Sequence, residues 1–156
     1  MHAALIACCV VLLLTARAGA EGARTWMFNF DSDAAVLQYG TPESDDMVIA
    51  FSCEPARRSL HIAEFVGSNK LLPGRTAQLK ISAGSTSVGY SGQTVANEMD
   101  GTVNIEVTTT IDPKLFALLK SAPSFTLDVG GKQETIPLAG APPHVAAFEK
   151  ACLAKP

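Results

Sequence analysis

The chain has 156 residues, with 12 Lys and Arg against 15 Asp and Glu and a formal net charge of −3. Nearly half the residues are hydrophobic (47%) and only 17% are charged, enough apolar material for one domain with a proper core. A mildly acidic sequence without a Lys/Arg cluster lacks the electrostatic footprint of a nucleic-acid binder.

The chain opens on an almost wholly apolar stretch, Ala3 to Leu14, followed by Thr15-Ala16-Arg17-Ala18-Gly19-Ala20. Such a stretch falls short of the roughly 20 residues that span a bilayer. It suits the core of a signal peptide, and Ala18-Gly19-Ala20 supplies the small residues of a cleavage site. Cleavage is expected after Ala20, although the segment before the apolar run carries no Lys or Arg, which leaves open whether Met1 is the true start. Leu5-Ile6-Ala7-Cys8 has the outline of a lipoprotein box, but the apolar run continues past Cys8 to Leu14, so Cys8 and Cys9 are expected to leave with the leader.

Residues 21–156 then form a single β-rich domain with 11 basic and 15 acidic residues, a net charge of −4, since the leader removes only Arg17. It holds no second long apolar segment, so no membrane span is expected after cleavage. It holds no Asn-x-Ser/Thr sequon either, which is compatible with a bacterial periplasmic protein. Two cysteines remain, Cys53 and Cys152, and in an oxidising compartment the economical reading is a disulfide between them.

In chain order, Trp26, Phe28 and Phe30 alternate with Met27, Asn29 and Asp31, an opening strand whose aromatic row is expected in the core in preference to stacking on sugars. Ala35, Leu37 and Tyr39 share one face of a second strand. Gly40 to Asp46 carries three acids and a proline without the ligand spacing of a calcium loop, and reads as solvated. Met47-Val48-Ile49-Ala50-Phe51-Ser52-Cys53 has no charge and no clean polar alternation, which predicts a central strand buried on both faces. Glu54 to Arg58 turns it into a strand over Ser59 to Phe65, a hairpin with Arg57 and Arg58 at its tip as a candidate anion site.

Ala77, Leu79, Ile81 and Ala83 face inward on the next strand. Ser85 to Ser91 is polar, buries little on this reading and is expected to be a sheet edge. Its Ser85, Ser87, Tyr90 and Ser91 are candidate partner-binding residues, because an edge can accept a partner's strand through main-chain hydrogen bonds. Val103, Ile105 and Val107 line one face of a further strand. Asp112-Pro113 opens a helix, the aspartate capping free amides and the proline losing no hydrogen bond at the first helical position. Phe125 to Val129, Gly130-Gly131 and Glu134 to Leu138 form a second hairpin. Pro142-Pro143 introduces a last helix with Val145, Phe148 and Cys152 on one face. About nine strands and two short helices predict a mainly β fold, an antiparallel β-sandwich or open barrel.

Chemistry-bearing motifs are sparse. Gly89-Tyr90-Ser91-Gly92-Gln93 departs from the nucleophile elbow at its last position, and the elbow also needs a strand running into a helix. His61 and His144 have no evident base–orienter partner, and no cluster has metal-ligand spacing, so no catalytic residue, metal or cofactor is assigned.

The order of Trp26, Cys53 before a hairpin, Asp112-Pro113-Lys114-Leu115, Gly130-Gly131, Ile136-Pro137-Leu138 and Phe148-Glu149-Lys150-Ala151-Cys152 resembles that of small secreted bacterial proteins of unknown activity. In layout it is also distantly similar to the invasion-associated locus B proteins and to periplasmic accessory proteins of type VI secretion. The resemblance implies a periplasmic or secreted location and no enzymatic residues. The function expected is therefore a non-catalytic binding or accessory protein whose partner is another envelope or secreted protein. The alternative is a secreted hydrolase with a site assembled from distant residues, which a pocket holding His61 beside a carboxylate and a serine would favour.

Overall fold

A computed structural model describes residues 22–31 and 34–154. The expected leader, its cleavage point and Cys8 lie outside the described residues. Nine strands form one antiparallel sheet: β1 (Thr25–Asp31), β2 (Ala34–Gly40), β3 (Met47–Glu54), β4 (Ser59–Glu64), β5 (Thr76–Ala83), β6 (Thr86–Ala96), β7 (Val103–Thr110), β8 (Ser124–Val129) and β9 (Lys132–Pro137). Helix α1 (Pro113–Ser121) lies between β7 and β8, and α2 (Ala141–Cys152) follows β9. The spatial order is β1-β2-β3-β4-β7-β6-β5-β8-β9. The fold is mainly β, as expected, and the sheet is an open barrel. Its two edge strands do not pair, but Trp26 of β1 reaches the β8–β9 hairpin: its indole N–H donates to the Pro137 backbone carbonyl at 2.8 Å, and its ring lies 6.4 Å from that of Phe125 on β8.

Period-2 alternation explains the strands. Leu37 and Tyr39, Ile49 and Phe51, Leu60 and Ile62, Leu79 and Ile81, Ile105 and Val107, and Phe125 and Leu127 all point into one contiguous core. The helices fill the concave side, with Leu115, Phe116, Leu118 and Leu119 of α1 and Val145, Phe148 and Cys152 of α2 buried there. Phe116 and Phe148 pack edge to face at 5.9 Å. Asp112 caps α1 as its sequence predicts, one carboxylate oxygen accepting the Lys114 N–H at 2.9 Å. Cys53 and Cys152 form a disulfide, joining the end of β3 to the end of α2.

Three expectations need correction. First, β3 is buried on one face, not two: Ile49, Phe51 and Cys53 point inward, while Met47, Ala50 and Ser52 are half-exposed. Uncharged outward residues disguised the alternation, and Val48 alone on the outer side is buried. Second, the aromatic row of β1 leaves the core along its length, from buried Trp26 to half-buried Phe28 to Phe30, 58% exposed. Third, the serine-rich strand is not an outermost strand, since β6 lies between β5 and β7, although only Gln93–Ala96 pairs with β7 and Thr86–Gly92 keeps that side unpaired. It also runs further than expected, to Ala96, and buries Val88, Tyr90, Gly92 and Thr94 on its inner face. Pairing with β5 covers Thr86–Gln93, whereas pairing with β7 covers Gln93–Ala96, so the two strands splay apart toward the β6 start.

Candidate functional site

The sequence candidates fall at separate places. Ser85, Ser87 and Ser91 are exposed, but Tyr90 is buried. Its hydroxyl donates to the second carboxylate oxygen of Asp112 at 2.8 Å, which ties β6 to the first turn of α1. Burial and the Asp112 carboxylate both push the Tyr90 hydroxyl pKa upward, so it stays a neutral donor. Tyr90 is therefore a joint of the fold and is withdrawn from the candidate recognition surface. Ser91 sits mid-strand, far from any strand-to-helix elbow.

Arg57 and Arg58 occupy the tight turn Pro55–Arg58 between β3 and β4, next to the disulfide. Arg57 pairs with Glu54 at 2.9 Å, so half of the candidate anion site already has its counter-charge. Nearby, β3 and β4 carry a small pocket of about 100 Å³ lined by Ser52, Glu54, Ser59 and His61, with Ala34 and Cys53. His61 pairs across the strands with Ser52, and Ser59 with Glu54. Among the described residues no hydrogen bond links His61 to any of these side chains, so a nucleophile and its base are not engaged.

The opposite end of β3 is different. There the start of β3, the end of β4, and the β6–β7 connection enclose a groove of about 840 Å³. Its apolar lining is Met47, Phe65, Val95 and Met99, of which Phe65 is 43%, Val95 42% and Met99 90% exposed. Its charged lining is Asp45, Asp46, Glu98, Asp100 and Glu106, and among the described residues no Lys or Arg lines it. Asp46 receives both Arg24 N–H groups at 2.8 Å and the Thr41 hydroxyl at 2.8 Å, which hold its carboxyl well below the usual range, at about 2. Asp100 is held low by the Thr102 amide and hydroxyl, and the field of Lys132 acts in the same direction. Asp45, Glu98 and Glu106 make no ion pair among the described residues.

The groove is positioned by polar groups buried beneath it. Glu64, 1% exposed, falls in phase with Leu60 and Ile62 and so points inward from the last position of β4. One of its oxygens accepts the amides of Val66 at 2.9 Å and Gly67 at 3.0 Å, and the other accepts the Ile105 amide of β7 at 2.5 Å. Burial pushes its pKa up, and those amides and Lys132 act against the shift. The same loop is held by Lys132, which donates to the Val66 carbonyl at 2.7 Å. Gly67 has a φ of 57°, and a Cβ there would collide with Thr102 and Asn104, so only glycine fits the crossing. On the far wall the Asn97 side chain accepts the Met99 amide at 3.0 Å, a local turn that leaves Met99 outermost.

Sequence reasoning missed this groove. Phe65 ended an expected strand, Met99 lay in an unassigned segment, and Val95 belonged to the unforeseen half of β6. The available signal was Glu98-Met99-Asp100, a large apolar residue flanked by acids in a turn. The expected solvated loop Gly40–Asp46 supplies part of one wall, and its Asp46 is engaged by Arg24 and Thr41 rather than free for a cation. Among the described residues no group of His, Cys, Asp and Glu could hold a metal, and no helix is long and apolar enough to cross a membrane.

Comparison with known proteins adds no relative: no family model matches the chain, and no curated protein or solved structure is significantly similar to it.

Proposed function

We propose that the protein is a non-catalytic binding or accessory module that acts outside the cytoplasm, in the periplasm or after secretion, on another envelope or secreted protein. The observation that carries this reading is the groove, where Phe65, Val95 and Met99 expose apolar surface beside Asp45, Glu98 and Glu106, which make no ion pair among the described residues. Apolar side chains scattered singly over a surface mean little, but three converging in one concavity favour a protein contact. The location rests on the apolar leader over residues 1–20 and on the Cys53–Cys152 disulfide, a bond that persists in oxidising compartments. The layout resemblance to secreted and periplasmic accessory proteins points the same way.

Gentle fractionation of cells that export the protein tests the reading. The wild type should elute in a complex larger than the monomer, and a Val95→Asp/Met99→Asp variant should elute as the monomer. Identical elution of the two would count against the groove. A second reading, a secreted hydrolase, draws on the Ser52, Ser59, His61 and Glu54 pocket. At about 100 Å³ the pocket is well below the roughly 300–1,000 Å³ of ordinary ligand sites. Treatment with a fluorophosphonate decides between them: a covalent adduct on Ser52 or Ser59 would support the hydrolase.

A further inference from the structure

We infer that the groove takes a basic, apolar-bearing polypeptide segment, in which Lys or Arg side chains meet the carboxylates and a neighbouring apolar side chain packs on Phe65, Val95 and Met99. This inference rests on the groove being the recognition surface and adds the chemical class of its occupant. The first argument is charge. Five carboxylates line the concavity and, among the described residues, no lysine or arginine does. Arg24 neutralises Asp46, and Lys132 lies close enough to Asp100 to be felt there, yet Lys132 spends its ammonium on the Val66 carbonyl. Asp45, Glu98 and Glu106, on both walls, make no ion pair among the described residues. An acidic occupant, including an anionic lipid surface, would be repelled, and a cationic one is steered in and paired.

The second argument is apolar area. A small polycation would satisfy the carboxylates but leave Met47, Phe65, Val95 and Met99 wet. A polypeptide presenting charged and apolar side chains together answers both needs, as the mixed lining requires. Met99 suits such a surface, since its flexible thioether chain repacks around differently shaped partners and 90% of it is available to do so. The walls themselves are firm. Glu64 fixes the Phe65 side through three backbone amides, and the Asn97 turn fixes the Met99 side. Little ordering cost is therefore left for binding to meet.

The probes are three fluorescein-labelled synthetic peptides: alternating lysine and leucine, the same with glutamate for lysine, and the same with serine for leucine. Each is titrated by fluorescence anisotropy into the exported, disulfide-intact protein. The lysine–leucine peptide should bind, and added salt should weaken it severalfold. Met99→Ser with Val95→Thr, both at exposed positions, should weaken binding by roughly tenfold or more, as loss of a central apolar contact does. Glu98→Gln with Glu106→Gln should weaken it and flatten the salt dependence. The serine peptide should bind poorly and the glutamate peptide not at all.

Equal binding of the glutamate peptide, still lost in the Met99/Val95 variant, would overturn the cationic class while leaving the groove as the surface. Binding of the lysine–leucine peptide that ignores both sets of variants would overturn the groove itself. Failure of the lysine–leucine peptide to bind wild-type protein whose near-UV circular dichroism is that of the folded state would overturn the polypeptide inference.

Discussion

The two ends of β3 meet opposite fates. At Cys53 the strand is bonded to α2, covered by the core and followed by a tight turn rich in arginine. At Met47 it opens into a groove lined by acids and exposed apolar side chains, with no lysine or arginine among the described lining residues. Both ends belong to the same hydrogen-bonded ladder, so local strand stability does not distinguish them. The difference lies in what each end is given to cover it. A small β domain can leave one end open because the other is closed covalently and packed with helices. The open end is shaped by buried polar groups instead, chiefly Glu64, and those groups set its geometry without hiding its apolar surface.

Breaking the closed end should have the largest effect. Replacing both Cys53 and Cys152 with alanine removes a cross-link between residues 99 apart in sequence. In the chain-entropy model that lowers stability by about 4–5 kcal/mol. Denaturant titration of the double variant against wild type measures it.

At the open end, Glu64→Gln should cost roughly 2–4 kcal/mol, because an amide cannot accept from all three backbone N–H groups and one or more stays buried and unpaired. The same substitution has a pH signature. Burial raises the Glu64 pKa above 4.5, so the native state holds this proton more tightly than the unfolded chain. Its contribution to stability is full below the ordinary glutamate value and is lost as pH rises through the raised value. The gap between the melting temperatures of wild type and Glu64→Gln should therefore narrow, without closing, as pH increases over that window.

Tyr90→Phe should cost less, about 1–2 kcal/mol, by removing the hydroxyl that joins β6 to the Asp112 cap. The helix cap itself survives, since the Lys114 amide keeps its own carboxylate oxygen. Loss of α1 helicity in this variant would contradict the division of labour between the two Asp112 oxygens. The smallest effect is expected for Arg24→Ala. The pair it makes with Asp46 lies in solvent, with the two side chains 43% and 45% exposed. At neutral pH the melting temperature should hardly move. Because Asp46 is depressed to about 2, any stability the pair supplies is present above the ordinary aspartate value of 3.8 and is lost as pH falls toward 2.

Much of this architecture was legible from local pattern. Alternation marked the strands, Asp112-Pro113 the start of α1, Gly130-Gly131 the β8–β9 turn, and the cysteine count the disulfide. Which strands become neighbours was not legible, since β4 with β7 and β5 with β8 pair across long intervals of sequence. The groove depends on that pairing. Phe65, Val95 and Met99 are unremarkable one by one and become a surface only when β4, β7 and β6 stand side by side. The inner face of the serine-rich strand escaped notice for a related reason. Its inward residues include Tyr90 and Thr94, polar groups that a core strand accepts because Asp112 takes one hydroxyl and the Leu72 carbonyl, at 2.7 Å, takes the other. Glu64, by contrast, was readable as inward from its phase with Leu60 and Ile62, but a lone carboxylate at the end of a strand gives no sign of the three amides it will meet.

The central claim is that recognition belongs to the open end. A photo-crosslinking amino acid placed singly at Met99, at Ser87 or at Arg57 of the protein tests it in intact cells. All three positions are exposed, at the groove, on the serine-rich strand and at the closed end respectively. A discrete crosslinked adduct is expected from Met99 and none from Ser87 or Arg57. An adduct from Ser87 or Arg57 with none from Met99 would contradict the claim.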